Sequence, residues 1–402
     1  MKSIIFLLFI FFFFNRAAQE YYGARFAYQF SENILSGLAK DTFAADKDRK
    51  YQSAARDLSA MGDYKNTLVV WDSGETKPAK LYPQDSVYYL QFKPRNAKDY
   101  IIERAKNEQI IILNEAHHQP YHRVFTESLL HDLYKLGYRF FGGETINQHD
   151  SVLNERKYPV VFSGTYSKEP RYGNMIRTAL QEGYYVFAYE ADFDNHAIVS
   201  SKEREIQQAR HIKSILDTNP KAKIIIHCGF GHLVETELGG DWEKAMAGRL
   251  KEYTGIDPFT IDQVELTERS SIEYDDPFFK MINLDYYAVF INQFGKPYND
   301  PPLRDQYDIS VYHPRTKWIN GRPNWAFEGG KQPYFINDQI NIVFPCLVLA
   351  YCEGEDISIA VPTDVIELKN KDDKTALALK KGNYTIIIKR DSENDQQIKV
   401  KF

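Results

Sequence analysis

Cysteine is scarce, with three in 402 residues, too few for a disulfide framework in any compartment. Cys346 and Cys352 bound the apolar run "CLVLAYC", and the ends of one extended strand lie too far apart to bridge. Cys228 sits in a second apolar run, so all three read as small buried hydrophobes. An excess of one charge is also missing. Lys+Arg number 50 against 55 Asp+Glu, a formal net charge of -5. The basic residues are dispersed, which excludes a nucleic-acid partner. The one long hydrophobic run, Ile4 to Phe14, is shorter than the ~18 to 20 residues of a membrane-spanning helix. Lys2 precedes it and Asn15, Arg16, Ala17 and Ala18 follow, so residues 1–18 read as a secretory signal peptide. The mature chain is expected to be exported, to the periplasm, cell surface or medium, without a transmembrane span. No G-x-S-x-G elbow is present, which removes that serine-nucleophile arrangement.

Aromatics are plentiful, with 28 Tyr and 26 Phe. They fill cores and strands first and offer stacking surfaces for a sugar second. Residues 20–97 read as a helical segment and a connection. Apolar residues at three- and four-residue spacing break at Gly62-Asp63, giving a helix pair, and one short strand is expected at "SVYYLQF". From 98 to 270 helices and short apolar runs alternate: "QIIILN", "YRFFGGE", "YYVFAYE", "KIIIHCG" and "FTIDQVEL" are the strands. The expected fold is an α/β core with a largely parallel sheet covered by helices, preceded by the helical segment and followed by a small antiparallel β-domain. Residues 271–340 read as an irregular extension and 341–402 as a C-terminal β-sandwich-like domain. A truncation near Asn341 is expected to leave the core folded.

In a parallel sheet, chemistry gathers at the carboxyl ends of the strands. Glu115 and His118 follow "QIIIL", Glu144 ends "YRFFGGE", Glu190 ends "YYVFAYE", and His232 comes just after "KIIIHCG". Four successive strands thus bring an acid or a histidine to one edge. A carboxylate that fixes an imidazole tautomer raises its basicity toward water, and Arg123 or Arg204 can stabilise charge developing on a carbonyl oxygen. Direct attack by water is the simplest chemistry for this set. A divalent metal is the competing use, with Glu115, His118 and His232 as ligands. HEXXH order is absent, however, and Pro120 delays the helix that would pair His118 with His122. His117, His122 and His131 read as surface or rim residues.

The stretch "NEAHHQPYHRVFTESLLHDLYKLGYRFFGGE" resembles the signature of the erythromycin esterase, ChaN-like haem-uptake and Tiki proteins. There a G-E-x-x-H turn leads into a helix and then a glutamate at the next strand end. "GTYSKEPRYGNMIRTALQEGYYVFAYE", "REIQQARHIKSIL" and "KIIIHCGFGHL" are similar to later parts of the same group, over roughly 101–260. The resemblance implies a water-activating pair in Glu115 and His118, a second acid in Glu144, the late histidine in His232 and a supporting arginine in Arg204. It implies ester hydrolysis on a small-molecule or glycan-like substrate, with no cofactor certain. Its alternatives are haem or iron binding and metal-dependent peptide cleavage. Asn114 stands where the group usually has glycine. Glu127 occupies the spacing of an arginine in macrolide esterases, which argues against a macrolide substrate. Outside this region, "YHPRTKWINGRPNW" at 312–325 is either a ligand-facing loop or one pinned by its tryptophans.

Overall fold

The computed structural model describes residues 28–40, 47–75, 77, 83–191, 200–299, 306–390 and 395–402. The segment read as a signal peptide lies outside the described residues. The helices are α1 Ser31–Lys40, α2 Lys47–Ala60, α3 Tyr64–Asp72, α4 Pro83–Tyr89, α5 Ala97–Ala105, α6 Pro120–Lys135, α7 Leu153–Arg156, α8 Pro170–Glu182, α9 Ser201–Thr218 and α10 Met246–Thr254. The central strands are β2 Ile110–Glu115, β3 Tyr138–Gly143, β4 Tyr185–Ala188, β5 Lys223–Gly229, β8 Phe259–Asp262 and β10 Ile309–Ser310. Around them lie β1 Phe92–Asn96, paired with β9 Ala288–Asn292, and a hairpin of β6 Glu237–Gly239 and β7 Glu243–Lys244. No described helix is long and apolar enough to cross a membrane.

The six central strands form one parallel sheet in the order β10-β8-β2-β5-β3-β4. Side chains alternate between its faces, as the two-residue period of a strand requires. Ile111, Leu113 and Ile225 pack with α5, α6 and α8. Ile110, Ile112, Ile224 and Ile226 pack with α9 and α10. Both faces are therefore covered, which is why the strands read as continuous apolar runs. The expected α/β core is present.

The stretch "SVYYLQF" is not one strand: it ends α4 and begins β1. Tyr89 and Phe92 are buried, whereas Val87 and Leu90 are exposed. That is a three-residue spacing, which suits a helix turning into an aromatic cluster with Phe278 and Tyr298. The extension after 270 also belongs to the core, because Ile309 and Val311 pack with Phe259 and Ile261 and make β10 the sixth strand.

The remaining strands are β11 Trp318–Ile319, β12 Arg322–Pro323, β13 Gln332–Tyr334, β14 Cys346–Cys352, β15 Asp364–Leu368, β16 Leu377–Leu379, β17 Asn383–Lys389 and β18 Gln396–Lys401. Four of them form an antiparallel sheet, β15-β14-β17-β18, and β13 pairs with β16. The small β-domain therefore starts by Gln332, before the boundary read from sequence. All three cysteines are free.

This domain is not a loose appendage. Asp364, fully buried, accepts from Arg171 Nη2 of α8 at 2.9 Å and from Arg322 Nη2 at 2.8 Å. Glu355 takes both ends of the Arg177 guanidinium at 2.6 Å. Phe30 and Met61, which flank the N-terminal helices, pack with Leu347, Leu349 and Val365. The turn at Gly62, φ +75°, brings its Cα so near the Val365 carbonyl that a Cβ would sit 2.5 Å from the oxygen, and only glycine adopts that conformation at no cost. The expectation of a cleanly removable domain does not fit these contacts.

Candidate active site

Strand β2 is buried at every position and ends in Asn114 and Glu115. Asn114 ties three strand ends together. Its amide donates to the Phe230 carbonyl at 3.0 Å and to Asp262 Oδ1 at 2.8 Å, and its oxygen accepts from Gln263 N at 2.7 Å. A glycine at this position would supply none of these bonds. The turn at 116–119 follows, closed by Gln119 N on the Ala116 carbonyl at 2.7 Å and by Ala116 N donating to His122 Nδ1 at 3.0 Å. Pro120 at the first turn of α6 fits a position whose N–H has no helical partner.

The turn sends its two adjacent histidines to different neighbours. His117 Nδ1 lies 3.0 Å from Glu115 Oε1, and its ring stacks on Tyr166 at 4.2 Å. His118 instead stacks on Trp71 of α3, ring centroids 3.8 Å apart, and neither of its nitrogens has a partner. Burial, with Arg269, His117 and Arg123 nearby, holds the His118 pKa well below the usual imidazole range. The imidazole paired with Glu115 is therefore that of His117, which sequence reading placed at the rim, and not that of His118.

Glu115 is the hub of the first cluster. Arg123 donates to it twice, Nε to Oε2 and Nη2 to Oε1, both at 2.6 Å. His227 Nε2 lies 2.8 Å from Oε2. Burial alone would raise this carboxyl, but Arg123, His117 and His227 outweigh it and hold the pKa well below the ordinary carboxylate range. Glu115 is thus an ionised acceptor with its lone pairs committed. Since a carboxylate can only accept, His117 keeps its proton on Nδ1 and leaves Nε2 as a base. Arg123 is itself steadied by Glu169 at 2.9 Å.

The second cluster is built on the ends of β3, β4 and β5. Arg204 of α9 donates to Glu144 Oε1 at 2.8 Å and to both oxygens of Glu190 at 2.9 and 2.6 Å. Gly229 N donates to Glu144 Oε2. His232 Nδ1 lies 2.9 Å from Glu205 Oε2, while its Nε2 faces Arg204 Nη1 at 3.1 Å and Glu144 Oε1 at 3.4 Å. A neutral ring accepts from the arginine there, and a charged ring donates to the carboxylate. Burial opposes the charge, but Glu144 and Glu205 prevail and raise His232 to about 9. Glu144 is lowered: burial works against its charge, and His232, His117 and Arg204 favour it.

The two clusters meet over Gly229. A Cβ there would fall 2.1 Å from His117 Cε1 and 2.8 Å from Glu144 Oε2, so only a bare Cα lets imidazole and carboxylate share this space. The turns that leave β3 and β5 carry left-handed residues other than glycine, Thr145 at φ 61° and Phe230 at φ 40°. Strain of this kind is concentrated at functional sites. Beside His117 opens a cleft of about 220 Å³, walled by α2 and by the segment 165–169.

Glu115, Glu144, Glu190, His232, Arg123 and Arg204 are all brought to this edge, and His118 is turned from it. His227 was missed in the sequence because it sits inside a buried run. Its signal was the strand period, which puts it on the face of Ile225, two residues before Gly229 and opposite Leu113. As metal ligands, Glu115, His118 and His232 do not fit. Arginines fill the carboxylates, His118 makes no polar contact, and no described group of three or more His, Cys, Asp or Glu is arranged to hold an ion. The loop 312–325 is pinned: Arg315 pairs with Asp275 at 2.7 Å, Arg322 with Asp364, and Trp325 Nε1 donates to Thr316 Oγ1 at 3.0 Å.

Fold and site together define an α/β protein with a double carboxylate–histidine–arginine cluster at the carboxyl edge of a parallel sheet. No known protein family and no curated protein matches the chain. Among solved structures, the type III effector HopBA1 aligns over 56% of this chain and 98% of its own, at 10% identity and a TM-score of 0.35. A likeness that low carries no argument.

Proposed function

We propose that the protein is an exported hydrolase that cleaves an ester or related carbonyl bond by direct attack of water. The supporting observation is the Glu115–His117 pair at the mouth of a cleft, with the Arg204–Glu144–His232 cluster across Gly229. His117 Nε2 takes a proton from water as its oxygen bonds to the carbonyl carbon, and Glu115 stabilises the imidazolium through Nδ1. Arg123 keeps Glu115 ionised, so the base stays oriented. With His232 protonated and turned to Glu205 and Glu144, Arg204 Nη1 supplies a donor for the oxyanion. When the carbon–oxygen bond to the leaving group breaks, the proton on His117 passes to the departing alkoxide. The cleft is smaller than the ~300 to 1,000 Å³ typical of drug-sized ligands, so it accommodates one end of a small-molecule or glycan-like substrate. No step needs a metal.

The reading is tested by comparing neighbouring histidines. His117→Ala is expected to lower turnover by ~100-fold or more, whereas His118→Phe, which keeps the stack on Trp71, retains most of it. The reverse pattern would move the base to His118 and dismantle this mechanism. Activity is expected to persist in excess chelator.

A further inference from the structure

We infer that the cleft beside His117 receives an anionic group of the substrate on Arg56, which makes the preferred substrate an acidic ester bearing a carboxylate, phosphate or sulfate. This rests on the hydrolase reading above and names its substrate class.

The charges around the cleft are paired with one exception. Lys168 is bound to Asp57 at 2.5 Å, and Arg123 to Glu169 and Glu115. Arg56, half-buried on α2, lines the same cleft and makes no hydrogen bond or ion pair among the described residues. A guanidinium offers five N–H donors in a rigid fork and accepts nothing, so its complement is a carboxylate, phosphate or sulfate. Half-burial raises the value of such a contact over an exposed one, because screening is weaker there.

Arg56 is also placed to act on the reacting end. Tyr166 stacks on His117 and shares the cleft with Arg56. Burial raises the Tyr166 phenol first, and Glu144, Arg56, Glu115 and Arg204 all act on it as well. Tyr166 therefore lies within electrostatic reach of both carboxylate clusters and of the unpaired guanidinium. A substrate whose anion rests on Arg56 lays its chain along Tyr166 and brings its carbonyl to His117 Nε2. Holding it in this way converts binding energy into orientation.

The test uses the full chain. Hydrolysis of 4-nitrophenyl acetate is compared with that of mono-4-nitrophenyl glutarate, and binding of glutarate, inorganic phosphate and sulfate is followed by calorimetry in parallel. The wild type is expected to favour the acidic ester by at least ~10-fold in kcat/KM, a single charge-assisted contact being worth that much. In Arg56→Gln that ratio collapses through KM, and Arg56→Lys restores part of it; the strongest of the three anions identifies the group. A ratio near one in the wild type, or one that Arg56→Gln leaves intact, overturns the inference while the hydrolase reading stands. Anion binding that weakens in Arg56→Gln, in a protein that hydrolyses neither ester, upholds the anion site and sinks the hydrolase reading. No turnover and no binding sinks both.

Discussion

Three buried imidazoles lie on the side of the site away from the cleft. His118, His122 and His313 have ring nitrogens without partners, and the His122 and His313 ring centroids are 5.0 Å apart. Burial depresses His118 and His122 well below the usual range and takes His313 to about 3. Each ring binds a proton more readily once the chain unfolds, so its contribution to stability is complete above about 6.5 and is lost as the pH falls below that value. His232 has the opposite sign. Raised to about 9, it stabilises the fold fully below its unfolded pKa, and that contribution is lost as the pH rises through 9. The melting temperature is therefore expected to peak near pH ~7, just above the unfolded histidine pKa, and to decline from there toward 9. His313→Phe should flatten the acid limb by about 1.4 kcal/mol per pH unit. Melting curves across pH measure this, and an acid limb unchanged in the variant would mean that His313 is already solvated. The same residues show what a sequence conveys. Glu115, Glu144, Glu190 and His232 were legible because the strand ends locate them. The choice between His117 and His118 was not, because a four-residue turn has no period and its side chains follow from Trp71 and Tyr166, which are distant in sequence.

At the scale of elements, the alternation of short apolar runs and amphipathic helices made the parallel sheet readable, since helices cover both faces of the sheet. The short pieces were harder. The stretch 86–92 carries β-formers, yet Tyr89 and Phe92 meet one aromatic cluster at helical spacing, so tertiary packing overrides propensity. Strand β10 has only two residues, too few for any pattern. The sheet edge also explains Gly229. It ends β5, its N–H serves Glu144, and its bare Cα carries the contact with His117. Gly229→Ala is expected to leave the sheet intact, since φ there is −93° and ordinary for alanine. Displacing His117 or Glu144, however, should cost at least ~100-fold in kcat, because misplacing a reacting group by about 1 Å is enough for that. Steady-state kinetics with a melting control checks it, and near-normal kcat would show that the two clusters do not act together.

For the whole molecule, the decisive feature is the way in which the first and last segments close on the core. The turn at Gly62 lies against Val365, Phe30 packs with Leu347 and Leu349, and Ser31 N donates to Glu367 at 2.8 Å. Composition marks a change of texture near residue 270 but says nothing of such contacts, because buried ion pairs between distant residues leave no local pattern. Ending the chain at Asn341 would remove Asp364 and leave Arg171 charged inside the protein, together with Arg322. A guanidinium is not deprotonated in a protein, so Arg171 cannot escape the penalty by losing its proton. Breaking a buried pair by removing one partner costs about 3 to 5 kcal/mol, and two such losses approach the ~5 to 15 kcal/mol that hold a domain together. The apolar faces of Phe30 and Met61 would be uncovered as well. A chain ending at Asn341 is therefore expected to lack a cooperative melting transition and to bind a hydrophobic dye. In the full chain, Asp364→Asn should lower the melting temperature while leaving the site assembled, because its damage falls on α8 and the β-domain. Circular dichroism and calorimetry on both proteins distinguish the outcomes. A truncated chain that melts cooperatively and keeps its turnover would show the β-domain to be an independent module.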